Sequence, residues 1–317
     1  MRSLSILSLM ACIVALPLCS CHTRGPAPFV EEPEDECLTG ISARHTVMVE
    51  LAVDESMPDN MAVEYPVSRA SDGWQRRYVV NVYRQGSRQL VASATSLEPV
   101  VPMELPVGKL EFVAWADNVP VGNMADHYWF TDDFSEILLY TKRPYSANDG
   151  MKPGYLGAMS MVMPYNLRNV TLPMSTVMGQ IRLIATDTRR GDVDRITVSY
   201  PGTVPAAIDA FSGRVCREWE EVEFETTATQ GGDGWLIAYD YIPAETSEIT
   251  VPVGVTIHDA AWEVVACIKH IDVPVRRGCV TEVRAPFFSL MERDDSGNNG
   301  GISIDTGYTD DIVIEIK

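Results

Sequence analysis

The sequence predicts an all-β protein built as two β-sandwich domains in tandem, and three observations carry that prediction. Apolar residues recur at every second position through most of the chain, the pattern of strands with one buried face. Clusters of Gly, Pro, Asn and Asp cut these runs at regular intervals, which favours a sandwich over a parallel sheet with crossover helices. Helical periodicity is nearly absent.

In order, "HTVMVELAV" places Val47, Val49, Leu51 and Val53 on one face. "RRYVVNVYR" alternates around Val80 and Val82, with Val79 and Tyr83 on the other side. "LEFVAWADNV" is apolar almost throughout, as expected of a strand covered on both faces. Prolines at 99, 102 and 106 mark edges and turns. The segment Thr131–Tyr140 predicts a helix, with Asp132 and Asp133 near its start where the helix dipole favours acid. "YLGAMSMVM", "NVTLPM", "QIRLIAT", "DRITVSY", "EVEFETT" and "WLIAYDYI" continue as strands. "EITVPVGVTI" puts Ile249, Val251, Val253, Val255 and Ile257 on one face, and "AAWEVVACIKHIDVPV" follows. The chain closes with "GISIDTGYTDDIVIEIK", in which Ile312, Ile314 and Ile316 share a face. Two halves meet near Leu172–Val177, so the expected domains are 45–173 and 174–317.

The first 44 residues read differently. Arg2 precedes a mostly apolar run, Leu4–Leu18, too short and interrupted for a bilayer span but suited to a secretory signal peptide over residues 1–20. The run ends in "LCSC", which resembles a bacterial lipobox, with Cys21 the cysteine that is diacylated and becomes the new N-terminus. Two or more acyl chains hold a protein stably to a membrane. Ordinary cleavage nearby, leaving Cys21 a plain thiol, is the alternative. "HTRGPAPFVEEPEDE" then has three prolines and five acidic residues, and residues 21–44 are expected to be a lipidated tether that buries little. Early acidic residues help direct some bacterial lipoproteins to the cell surface, although His22 directly after Cys21 is not acidic.

The chain carries 44 acidic and 25 basic residues, a net charge of −19, and loss of residues 1–20 removes one arginine more. That balance argues against nucleic acid as a partner, because phosphate binding needs basic surface. It also argues against a peripheral hold on anionic lipid. The roughly 295 residues from Cys21 onward suit two domains with a core each. Beyond Cys21 stand Cys37, Cys216, Cys267 and Cys279, with no CxxC pair and no histidine spaced for zinc. An exported protein could form a disulfide, for which Cys267 and Cys279 are the best-placed pair; buried or partly buried free thiols are the equal alternative. No GxSxG, HExxH, P-loop or GxGxxG motif occurs, and the histidines at 22, 45, 127, 258 and 270 are scattered. "DDSGNNGG" (294–301) lacks the ligand spacing of a calcium loop and reads as a turn. "DHYWFTDDF" gathers Tyr128, Trp129, Phe130 and Phe134, either a sugar-stacking platform or the cover of a sandwich end. No catalytic residue, metal site or cofactor is expected.

The order of lipobox, acidic Pro-rich tether, lone amphipathic strand, polar loop, "VNVYRQGSR" and "MELPVGKLEFVAWADNV" resembles the fimbrillin superfamily of Bacteroidetes lipoproteins. The closing "GGISIDTGYTDDIVIEIK" is similar to the last strands of its uncharacterised members. The resemblance implies two transthyretin-like β-sandwiches, no enzymatic activity, an outer-membrane or fimbrial location and other fimbrial subunits as partners. It also implies strand sharing, in which a sandwich lacking one strand presents a groove that another subunit's strand fills. In polymerising members a protease cuts after an arginine in the loop behind the first strand; anchor-type members stay uncut. Here His45–Val53 takes the first strand's place, and "DESMPDNMAVEYPVSRASDG" behind it holds one basic residue, Arg69. Arg69 is thus either a processing site or an ordinary loop arginine. Val47, Val49, Leu51 and Val53 would fill the groove, and Ile312, Ile314 and Ile316 would form the donated strand.

Two other classes stay open. One is a surface glycan-binding lipoprotein of a polysaccharide-uptake system, with Trp74, Trp129, Trp219 and Trp262 as its candidates. The other is an enzyme of unfamiliar type. No host ligand or glycan is specified by any motif.

Overall fold

The computed structural model describes residues 44–55, 73–140, 143–232, 234–290, 302–305 and 312–316, with side chains of the last two stretches described for 314–316. Residues 42–317 cluster as one compact unit. The described residues contain strands and turns and no helix. The first half holds β1 (Arg44–Asp54), β2 (Trp74–Arg84), β3 (Gln89–Ser96), β4 (Val100–Pro106) and β5 (Gly108–Pro120). Two short strands follow, β6 (Trp129–Phe130) and β7 (Ile137–Leu139), then β8 (Tyr155–Met163) and β9 (Asn169–Thr176). The second half holds β10 (Met178–Ala185), β11 (Arg195–Asp209), β12 (Arg214–Thr226), β13 (Thr229–Gln230) and β14 (Trp235–Pro243). It ends with β15 (Ile249–His258), β16 (Val264–Val275), β17 (Val280–Ala285), β18 (Ile302–Asp305) and β19 (Ile312–Ile316).

One seven-stranded sheet runs β3-β2-β5-β8-β9-β1-β4. It folds over on itself where β8 meets β9, since those strands pair only through Tyr155–Thr176 and Leu156–Ser175. Gly157 sits at that corner: a Cβ there would lie 2.7 Å from the Pro173 carbonyl oxygen. The two resulting leaves face each other across one core. Val80, Val82, Leu110, Phe112 and Ala114 come from β2 and β5, and Val47, Val49, Leu51, Val101, Met103, Leu105, Val170, Leu172 and Met174 from the opposite leaf. The prolines of β4, Pro102 and Pro106, lie on the outermost strand of that leaf, where a missing N–H is tolerated.

Two six-stranded sheets, β13-β14-β10-β17-β19-β18 and β16-β15-β11-β7-β6, enclose a second core, with β12 paired to β11. Val251, Val253, Val255 and Ile257 of β15 are buried there with Ile181, Leu183, Val283 and Ile314. Sheet membership switches between Thr176 and Met178, but the strands β6 and β7 of the first half join the second half's sheet. The back of β2 and β5 also faces the second core through Val79, Val113 and Trp115, the last edge-on to Trp129 at 5.3 Å. Both faces of β5 are therefore covered, which accounts for its nearly unbroken apolar run.

The predicted helix over Thr131–Tyr140 is not formed. The Asp133 carboxylate accepts hydrogen bonds from the Ser135 N–H (2.8 Å) and hydroxyl (2.7 Å), and these hold its pKa below the usual carboxylate range. The Glu136 N–H donates to the Asp133 carbonyl at 3.0 Å, closing a turn that leads into β7. A short polar side chain bonding its own backbone neighbours competes with the helical ladder, and here it wins.

A buried charge cluster pins the loop between β5 and β6. Arg77 on β2 stands opposite Asp117 on β5 and meets it with two bonds, 2.9 and 2.7 Å, while its third nitrogen reaches Asp126 at 2.7 Å. Arg77 and Asp117 are both buried, and burial pushes the Asp117 carboxyl up. Removing either partner would strand an uncompensated charge.

Candidate functional site

The feature that stands apart is the seat of the first strand. β1 alternates strictly, with buried His45, Val47, Val49 and Leu51 and outward Thr46, Met48, Glu50 and Ala52. It is flanked on both sides. Its antiparallel register with β4 runs from Arg44 opposite Pro106 to Glu50 opposite Val100. Its parallel register with β9 runs from Met48 opposite Asn169 to Asp54 opposite Ser175. Further backbone bonds from Met48 N–H to the Arg168 carbonyl and from Leu51 N–H to the Pro99 carbonyl, both 2.8 Å, extend the ladder at its margins.

Side chains on the outer face stitch it to both neighbours. The Thr46 hydroxyl donates to Glu104 of β4, and the Thr171 hydroxyl of β9 donates to Glu50 at 3.0 Å. At the strand's start, buried His45 packs against Tyr165 with ring centroids 5.5 Å apart, and its ring nitrogens have no hydrogen-bond partner among the described residues. Without β1, the inner edges of β4 and β9 would lose their ladders. Val101, Met103, Leu105, Val170, Leu172 and Met174 would also lose the side chains that separate them from water. These six complete the site and were not singled out from the sequence as its lining. Their signal is the alternation in "VVPMEL" and "NVTLPM".

Of the residues expected to matter, Val47, Val49 and Leu51 lie in the first core, with Val53 partly buried against it. Ile314 and Ile316 are buried in the second core, and the Ile312 backbone stands opposite Thr281 of β17. In this chain β19 already occupies its own sheet, parallel to β17 and antiparallel to β18. Cys21, Arg69, Cys37 and the 294–301 turn lie outside the described residues.

Of the two readings of the cysteines, the free-thiol one holds: Cys267 is partly buried, Cys279 is buried, no disulfide joins them, and Cys216 is an exposed free thiol. Cys267 sits on β16 beside the Thr256 hydroxyl at 3.7 Å, whereas Cys279 accepts a bond from Arg276 Nε at 3.2 Å ahead of β17, on the other sheet. Of the two readings of "DHYWFTDDF", burial matches the cover and not the sugar platform: Tyr128, Trp129 and Phe134 are core residues. Phe130 is exposed there and stacks on Tyr140 at 4.5 Å. Trp74 and Trp219 are partly buried against the second core. Trp262 is 61% exposed, with the Arg195 guanidinium 3.8 Å from its ring centroid. His270 is an exposed partner of Asp272 at 2.7 Å. Among the described residues, no group of His, Cys, Asp and Glu is arranged to hold a metal ion.

A family model matches the sequence over residues 42–317. The chain belongs to that family, DUF6562, a family of unknown function. No curated protein matches the DUF6562 chain. Solved structures similar to it include a candidate adhesin from Bacteroides ovatus, at 14% identity and a TM-score of 0.47, covering 83% of this chain and 96% of that one. A candidate polysaccharide-binding protein from Bacteroides thetaiotaomicron is similar at 11% identity and a TM-score of 0.47, covering 71% and 80%. The fimbrial anchor protein Mfa2 from Porphyromonas gingivalis is similar at 10% identity and a TM-score of 0.43, covering 71% and 82%.

Proposed function

We propose that the DUF6562 chain is a non-enzymatic, lipid-anchored component of a cell-surface fimbria, in the role of anchor or accessory subunit, whose first sandwich is completed by an exchangeable strand. The observation that supports this most is the position of β1, first among the described strands yet hydrogen-bonded on both sides in the middle of its leaf. A strand so placed leaves, when it departs, two open edges and an apolar trough that one incoming strand fills.

In this reading residues 1–20 are the signal peptide, Cys21 carries the lipid and 21–44 are the tether. The sandwiches are 45–173 and 174–317, and both are transthyretin-like. Cleavage after Arg69 would release the anchor together with β1, and the segment from Ile312 to Lys317 of another copy would be the donor. The anchor or accessory role is favoured by the seating of β19 in its own sheet, from which donation would have to remove it.

The test is treatment of the folded protein with an arginine-specific protease. Cleavage at Arg69 followed by an SDS-resistant ladder in unboiled gels, abolished by Arg69→Ala or by deleting 301–317, makes it a polymerising subunit. Resistance at Arg69 makes it an uncut anchor. Cleavage with no ladder ends the donor role of the C-terminal strand. Separately, Cys21→Ala should release the protein from the membrane fraction and abolish acyl labelling; unchanged partition would end the lipid-anchor reading.

A further inference from the structure

A second cluster lies inside the second core, away from the seat of β1. Lys152, between β7 and β8, is fully buried, and its Nζ lies 2.7 Å from Oδ1 of Asp240, itself buried on β14. Nζ also donates to the Tyr145 hydroxyl at 3.0 Å. That hydroxyl donates to Asp240 Oδ2 at 2.7 Å, and the Tyr200 hydroxyl donates to the same oxygen at 2.8 Å. The Tyr145 ring covers the ammonium, with Nζ 4.3 Å from its centroid, and Phe224 stacks on Tyr145 at 5.8 Å. An ion pair this deep is costly to form, and apolar residues of similar volume would often serve stability as well or better.

From this geometry we infer that Lys152 and Asp240 are the two halves of an intramolecular amide crosslink, formed without any cofactor. The ammonium passes one proton to Oδ1 across 2.7 Å, leaving a neutral amine beside a carboxylic acid. Nζ attacks Cγ, forming the C–N bond, while the two tyrosine hydroxyls stabilise the negative charge developing on Oδ2. A second proton leaves Nζ for the Tyr145 hydroxyl, which passes its own proton to Oδ2; that proton goes to Oδ1 as the Cγ–Oδ1 bond breaks and one water leaves. In the net the lysine supplies both hydrogens of that water, nothing is oxidised or reduced, and Oδ2 becomes the amide oxygen.

In water this condensation is disfavoured because the ionised reactants are well hydrated. Burial removes that hydration and lowers the lysine's pKa, chiefly by desolvation, so the amine is reached more easily. Burial likewise holds both tyrosine hydroxyls well above their ordinary pKa, so they remain donors. Fixing the two groups in contact supplies the orientation that a bimolecular reaction lacks. The bond would tie the segment ahead of β8 to β14 and close a covalent ring over residues 152–240.

The test is mass spectrometry of the purified, folded full chain. The expected result is a protein lighter than its sequence by one water, and a proteolytic digest containing a branched peptide that joins Lys152 to Asp240. Lys152→Arg, which keeps the charge, should lack both signals. Tyr145→Phe, which keeps the packing, should slow bond formation by about a hundredfold, read as a smaller branched fraction at matched times after synthesis. A folded wild-type chain of full mass with no branched peptide overturns the inference, and an unchanged Tyr145→Phe fraction overturns the relay.

Discussion

β1, of eleven residues, and β19, of five, both bury branched apolar residues on one face, yet their settings differ in kind. β1 has β4 on one side and β9 on the other, in the interior of its leaf. β19 stands near the end of its sheet, with β17 on one side and β18 as the outermost strand on the other. Taking away β1 opens a slot within a leaf, with two unpaired edges facing each other. Taking away β18 and β19 shortens a sheet from its end and bares one edge, that of β17. On the proposed reading the first geometry would suit an acceptor of one strand. The second keeps β19 paired on both sides, which is why the uncut anchor or accessory role is preferred to the donor role.

That contrast breaks or sharpens under truncation. The largest effect expected is from a chain beginning at Ala70. It loses buried Val47, Val49 and Leu51, worth roughly 5–9 kcal/mol together, as well as both ladders. It should be unfolded alone or self-associate, read by chemical denaturation and gel filtration. Ending the chain at Gly300 should cost less, about 3–6 kcal/mol for Ile314 and Ile316, and leave the first core folded. If the two truncations cost the same and give the same cooperative unfolding, the contrast is lost. Leu51→Ala comes next, at about 2–5 kcal/mol in equilibrium unfolding, with little effect on the second core. The smallest change expected is a slight rise in melting temperature for His45→Phe. That substitution removes two buried ring nitrogens that have no partner among the described residues and keeps the contact with Tyr165. A lower melting temperature would show that the imidazole has a partner the structure does not show.

Legibility in the sequence followed the wetness of each strand's outer face. The bounds of β1 and β15 are legible to within a residue because their outer positions, Met48 and Pro252 apart, are polar or small, so the alternation is clean. β5 was recognised through its unbroken apolar run, since both faces are covered. β17, "VTEVRA", escaped because it is brief and bears two charged residues. Thr131–Tyr140 was misread because its acids resemble a helix start, although Asp133 spends its carboxylate on Ser135. The alternating face of β1 was legible, but its two partners were not. Parallel pairing of Met48 with Asn169 joins residues far apart, and nothing local marks it. Lys152 and Asp240 were invisible for the same reason: each looks ordinary in its own stretch, and the fold alone brings them together.

The central claim, that the space between β4 and β9 accepts a strand from outside the remaining chain, is tested most directly by supplying one. A chain beginning at Ala70 would be refolded with a synthetic peptide of residues 44–55 and its thermal unfolding followed against peptide concentration. The expected result is saturable binding and a melting temperature that rises with peptide, lost when Val49 and Leu51 of the peptide are replaced by Asp. A truncated chain that melts like the intact protein without peptide, and gains nothing from adding it, would contradict the account.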